Sequence, residues 1–190
     1  MARFTRAELE SYRNQTIPDL VGPGLKLLFV GINPGLWTAA TNTPFAHPGN
    51  RFYPALAAAG ILSPAPDFAA GFDDADRARF IAAGLGISNL VARATARADE
   101  LTRDELRAGA ERMRANLRSW KPRVAAVVGI TAYRTAFDRP KAASGRQDEE
   151  LEGVELWVVP NPSGLNAHDT VATLAAAYAE PARAAGVLPS

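Results

Sequence analysis

Two short stretches of the chain each follow an apolar run and join an asparagine to a proline: GINPG at residues 31–35 and NPSGLNAH at residues 161–168. A glycine-bounded loop that empties from a strand usually offers its backbone amides to a phosphate. The first stretch does not fit that chemistry. It matches neither G-x-G-x-x-G nor G-x-x-x-x-G-K-[ST], and Pro34 has no N–H to give an anion. The proline instead stiffens a turn that holds Asn33 in a fixed place. An Asx turn ahead of the proline is the other reading of the same residue. In the second stretch, Ser163 and Gly164 permit close backbone approach. Leu165, alone among polar residues, either folds back as a plug or acts as an apolar wedge of the kind that enters a duplex stack.

The elements that must position these loops follow from apolar periodicity. Four β-branched or apolar runs read as strands: Leu25–Val30, Gly86–Val91, Arg123–Gly129 and Val154–Pro160. Helical patterns lie between them, at Pro48–Gly60, Asp73–Ala83, Thr102–Trp120 and Thr170–Ala185, the last with Pro181 near its end or kinking it. The clearest is Thr102–Trp120. Thr102 and Glu105 have capping-box spacing, and Leu106, Ala110, Met113, Leu117 and Trp120 recur along one face. Pro122 ends it. Residues 140–152 are turn-rich and read as a surface excursion, and residues 1–23 as a helical extension. Strands alternating with helices predict a three-layer α/β/α sandwich around a short, mostly parallel central sheet, in one domain spanning residues 1–190. In such sheets ligands bind beyond the carboxyl ends of the strands, where both polar loops fall. Asn89 lies within or beside the second strand.

Composition narrows the partners. The chain has 190 residues and a net charge of +1, so bulk charge points to no nucleic acid or membrane. The absence of cysteine removes disulfides, thiol nucleophiles and iron–sulfur clusters, and two unpaired histidines argue against a His-based metal site. The first twenty residues lack a continuous apolar core, and no run reaches the ~18 apolar residues of a membrane span. An intracellular, cytoplasmic protein is expected, with no metal and no cofactor. Arg93, Arg97, Arg103 and Arg107 could line a phosphate track, but neighbouring acidic residues favour a solvated helix face.

The stretch GINPGLWTAATNTPFAHPGNRFY together with NPSGLNAH resembles the mismatch-specific uracil-DNA and thymine-DNA glycosylases of the uracil-DNA glycosylase superfamily. The likeness runs from about Gly24 to Tyr178 and includes GISNLVARATARADEL and LWVVPNPSG. The two motifs stand in order, some 130 residues apart. Efficient uracil glycosylases differ in carrying Asp in the first loop and His at the head of the second. The iron–sulfur branches need four cysteines.

The resemblance implies a monofunctional DNA glycosylase that excises uracil, chiefly from G·U mismatches, by flipping the base and hydrolysing the N-glycosidic bond. Etheno-cytosine and other modified bases are further candidate substrates. Its partner would be double-stranded DNA with a mismatched or damaged pyrimidine, bound by a monomer. Asn33 and Asn89 would be the catalytic pair. Asn33 would orient the attacking water, because a carboxamide is no effective general base near neutral pH, and Asn89 would face the base. Ile32, Gly35, Thr38, Phe45 and Asn161 would form the base pocket. Phe45 would stack on the flipped base, and backbone amides near Ile32 and Phe45 would stabilise the departing anion. Ser163, Gly164, Leu165 and Asn166 would form the wedge. His47 is read as structural, and Trp37 as wall or surface contact. Two other classes compete: a non-catalytic mismatch-DNA binder using the same wedge, and a small-molecule enzyme acting on a free nucleoside.

Overall fold

The computed structural model describes residues 4–164 and 168–189. Five strands form one sheet: β1 (Leu27–Gly31), β2 (Leu85–Asn89), β3 (Val124–Val128), β4 (Gly145–Arg146) and β5 (Glu155–Val159). Their order is β2-β1-β3-β5-β4, parallel throughout except for the antiparallel edge pair β4–β5. All five residues of β1 and of β3 are buried, as expected of parallel strands covered on both faces.

Alternate residues of each strand feed two separate cores. Phe29, Ile87 and Ala126 face α3 (Phe52–Ala58), α4 (Asp74–Ala82) and α7 (Val171–Ala184), where they pack with Phe52, Leu56, Phe80 and Leu174. Leu28, Val127 and Val158 face α5 (Arg103–Trp120) and α6 (Ile130–Ala136), where Met113, Leu117 and Tyr133 meet them. The result is the three-layer α/β/α sandwich that the alternation of elements predicts.

The stripe on α5 holds. Ala110, Met113 and Leu117 are buried, and Leu106 and Trp120 pack at the margin of the same core. Thr102 caps the helix: its hydroxyl accepts from the Glu105 N–H at 3.2 Å, and the Glu105 carboxylate accepts from the Thr102 N–H at 2.9 Å. Such a cap contributes about 1 kcal/mol. Pro181 is accommodated inside α7.

Several boundaries differ from the sequence reading. The helix expected over 48–60 begins only at Phe52, because residues 47–50 are turned by their own polar groups: the Asn50 N–H donates to the His47 carbonyl at 2.7 Å, and Asn50 Oδ1 accepts from the Phe52 N–H at 2.9 Å. The excursion at 140–152 contributes β4 to the sheet edge. Two short helices, α2 (Leu36–Thr41) and α6, add to those that the periodicity predicts. In the N-terminal segment, α1 (Arg6–Glu10) lies against α2, and Leu20 pairs in both directions with Ile87 at 2.8 and 2.9 Å. Among the described residues no helix is long and apolar enough to cross a membrane.

Candidate active site

β1 and β3 lie side by side, while the chain leaves β1 toward β2 on its other flank. A crevice opens beyond the carboxyl ends of strands at such a reversal. Here it is a cleft of about 550 Å³. From the first loop come Ile32, Asn33, Gly35, Thr38 and Phe45; from the end of β2, Asn89; and from the second loop, Asn161, Ser163 and Gly164. Nine of the eleven site residues expected from sequence therefore line one cavity. The other two, Leu165 and Asn166, lie outside the described residues.

The first loop is held by the segment that follows β2. N–H groups of Leu90, Val91 and Thr95 donate to the carbonyls of Gly31, Ile32 and Pro34 at 2.8, 2.9 and 3.1 Å. This side-by-side run carries Asn33 along a rigid backbone. Its carboxamide nitrogen donates to the Pro34 carbonyl at 3.2 Å, the Arg93 carbonyl at 3.1 Å and the Thr95 hydroxyl at 2.7 Å. Two of these partners are carbonyls, which only accept, so the amide cannot be flipped. The Thr95 hydroxyl in turn donates to the Arg97 carbonyl at 2.7 Å, and Thr95 is buried. Asn33 thus acts through Nδ2 as a donor rather than as the acceptor of an Asx turn, and its Oδ1 accepts no hydrogen bond among the described residues.

Thr95 is the residue that sequence reading missed. Nothing in its setting of alanines and arginines marks it as buried; only its pairing with the first loop does. Arg93, which supplies one of the carbonyls, is gripped by Glu105 at the head of α5. The Arg93 guanidinium, and after it the Thr102 amide, holds the Glu105 carboxyl down to about 2. The native pair therefore stays ionised across any ordinary assay range. Its contribution to stability is full above the usual 4.5 and is lost as pH falls toward 2. Arg97 pairs with Asp99, and Arg107 lies 4.0 Å from Asp138, so these arginines face carboxylates rather than forming a bare phosphate track.

Phe45 is placed by backbone as much as by packing. Its φ is +54°, a conformation costing a non-glycine residue about 1–2 kcal/mol. Tyr53, fully buried, donates its hydroxyl to the adjacent Pro44 carbonyl at 2.8 Å. One face of the Phe45 ring stacks on Phe52, with centroids 4.2 Å apart and planes 25° from parallel. Its edge approaches Gly31: a Cβ added there would lie 3.3 Å from Phe45 Cζ and 2.6 Å from Asn89 Oδ1. Gly31 is bare because the Asn89 carboxamide and the Phe45 ring occupy the space above it. Among the described residues, the Asn89 side chain makes no hydrogen bond, nor do the backbone amides of Ile32 and Phe45 donate one. All three residues line the cleft.

Across the cleft, Asn161 Oδ1 accepts from the Ser163 N–H at 3.0 Å, and buried Tyr178 donates to the Pro160 carbonyl at 3.0 Å. Burial pushes the Tyr178 phenol well above its usual range, so it remains a donor. His47, read as structural, stands exposed at the rim, with Nδ1 accepting from the Gly49 N–H at 3.1 Å. Trp37 packs edge-on between Phe4 and His47, with centroids 5.0 and 6.0 Å away. It is therefore a half-buried brace behind the rim.

Among the described residues the lining holds no Asp or Glu, and its basic side chains are those of His47 and Arg97. Among the described lining residues no carboxylate is placed to act as a general base. The rate at saturating enzyme is expected to show no acid limb with a midpoint in the carboxylate range, as measured by single-turnover assays between about pH 4 and 8. A unit-slope limb near pH 4 would contradict this. The sequence model of a family described as the uracil DNA glycosylase superfamily matches residues 18–181.

Proposed function

Since the chain belongs to the uracil DNA glycosylase superfamily, we propose that it is a monofunctional DNA glycosylase that removes uracil, chiefly from G·U pairs in duplex DNA. The anomeric carbon of a stacked nucleotide is shielded, so the target must leave the duplex and enter the cleft. The base stacks on the free face of Phe45, with the Asn89 carboxamide at its edge. Asn33 Oδ1 accepts a hydrogen bond from a water and aims it at the sugar. With no base to deprotonate that water, bond breaking runs ahead of attack, and the sugar becomes oxocarbenium-like. The departing uracil anion is met by the amides of Ile32 and Phe45, which work as an oxyanion hole does. The second loop fills the gap left by the extruded nucleotide. Among the described residues no lysine lines the cleft, so an abasic site is left without strand cleavage.

The observation that carries this reading is the Asn33 carboxamide, fixed through nitrogen in the cleft that Phe45 and Asn89 share, its oxygen accepting no hydrogen bond among the described residues. Release of free uracil from a labelled G·U duplex tests it. Binding without release would mark a mismatch-binding protein instead, and activity confined to free deoxyuridine would mark a nucleoside enzyme.

Substrate breadth follows from Gly35. A Cβ there meets nothing within 4 Å, and its φ of −75° suits any residue. A pyrimidine substituent at C5 finds open space, bounded by the buried Thr38. Gly35→Tyr is expected to keep the fold and uracil release while lowering excision of 5-substituted or etheno-bridged bases about tenfold or more, read as a ratio of single-turnover rates. Equal losses on both substrates would show that Gly35 does not set pocket width.

A further inference from the structure

The segment between Phe45 and α3 does more than close the cleft. Its backbone touches the second loop: a Cβ on Gly164 would lie 2.8 Å from the Gly49 carbonyl oxygen. Two residues further on, the Arg51 N–H donates to the Pro162 carbonyl at 3.0 Å. The Arg51 guanidinium then reaches two further backbone carbonyls, those of Ser163 and Asp169. Nη2 donates to the Ser163 carbonyl at 2.6 Å, and Nη1 donates to the Asp169 carbonyl. Three carbonyls of one loop are thus taken by one residue of another.

From this geometry, and resting on the glycosylase reading above, we propose that Arg51 is a positioning residue for base extrusion: it clamps the two ends of the second loop at a fixed separation over the cleft. A planar guanidinium suits the task because its two terminal nitrogens can serve two carbonyls at once, whereas a lysine ammonium is a single point. The purpose is preorganisation. A loop that must press into a duplex does so at less cost if its ends are already ordered. Arg51 is half-buried and turned to carbonyls of the second loop, which separates this role from that of an arginine held out to phosphate.

Arg51→Lys and Arg51→Gln test the clamp on a G·U duplex with 2-aminopurine beside the uracil. Both variants are expected to slow the single-turnover rate constant at saturating enzyme about tenfold or more. The fluorescence rise that reports unstacking should shrink in parallel. Half-saturating enzyme concentration should stay within about twofold of wild type, with an unchanged salt dependence. Arg51→Lys combined with Leu165→Ala should be no slower than the slower single variant, since both act through one loop.

A lysine variant with wild-type rate, beside a glutamine variant whose duplex affinity falls and whose salt slope drops by about one, would overturn the clamp and make Arg51 a phosphate contact. A lower reaction amplitude with an unchanged rate constant would also overturn it, because only the folded fraction would have changed. If Arg51→Gln does not fold, the lysine variant alone decides by the same readouts. Wild-type protein that releases no uracil would sink the underlying reading; an active wild type with unaltered variants would sink only the clamp.

Discussion

Replacing Asn33 by alanine is expected to slow uracil release from a G·U duplex about 10²–10³-fold, the loss that removal of one preorganised polar group brings to a transition state. The rate constant should fall with little change in duplex affinity, because Oδ1 acts on water and sugar rather than on the DNA backbone. The side chain is over-determined. Three acceptors hold its nitrogen, and truncation removes the oriented oxygen while leaving the Thr95 hydroxyl its bond to the Arg97 carbonyl. Asn33→Asp is the sharper companion. It would place a carboxylate oxygen against two carbonyls, so it should destabilise the loop and fail to rescue the rate, although it adds a base. Single-turnover kinetics beside thermal melts checks both. A variant at position 33 that releases uracil at the wild-type rate would remove the residue from the chemistry.

The second large effect belongs to a residue with no side chain. Gly31→Ala is expected to lower uracil release about 10²-fold while the sheet stays intact. The added methyl would stand 2.6 Å from Asn89 Oδ1 and 3.3 Å from the Phe45 ring, both far inside or at the limit of contact. Gly31 itself sits at the buried end of β1, paired with Asn89 in the ladder, where an alanine suits the backbone. The strain therefore has to be relieved by the two side chains that line the cleft, and a displacement near 1 Å at a reacting centre costs on that order. The melting temperature should move far less than the rate. A Gly31→Ala protein with full activity would show that Asn89 and Phe45 do not need their observed places.

Much of this arrangement could be read from the chain, for identifiable reasons. The α5 stripe and its Thr102–Glu105 cap are local, so spacing alone exposes them. The central strands β1 and β3 show as apolar runs because both of their faces are covered. Both polar loops declare themselves by composition, and their meeting follows from the rule that parallel sheets bind ligands at carboxyl ends. What the sequence concealed was set by distant partners. Thr95 gains its role only because residues 90–95 run beside the first loop. Arg51 looks like any arginine before a helix until the second loop closes over it. β4 is two residues long, and α6 seven, too short for periodicity to reveal. The start of α3 is delayed by turns that His47 and Asn50 make with their own side chains, which a helical pattern does not register. Leu165 and Asn166, expected to belong to a wedge, lie outside the described residues, and that role stands on the resemblance alone.

The most direct measurement is a crystal structure with a G·U duplex whose target is 2′-fluoro-deoxyuridine, a sugar that resists cleavage. The account expects the uridine turned out of the helix, its base against Phe45 with Asn89 at the edge, and a water held by Asn33 Oδ1 on the face of C1′ opposite the base. A uridine still stacked in the duplex, or an extruded one with the Asn33 carboxamide out of reach of its sugar, would contradict it.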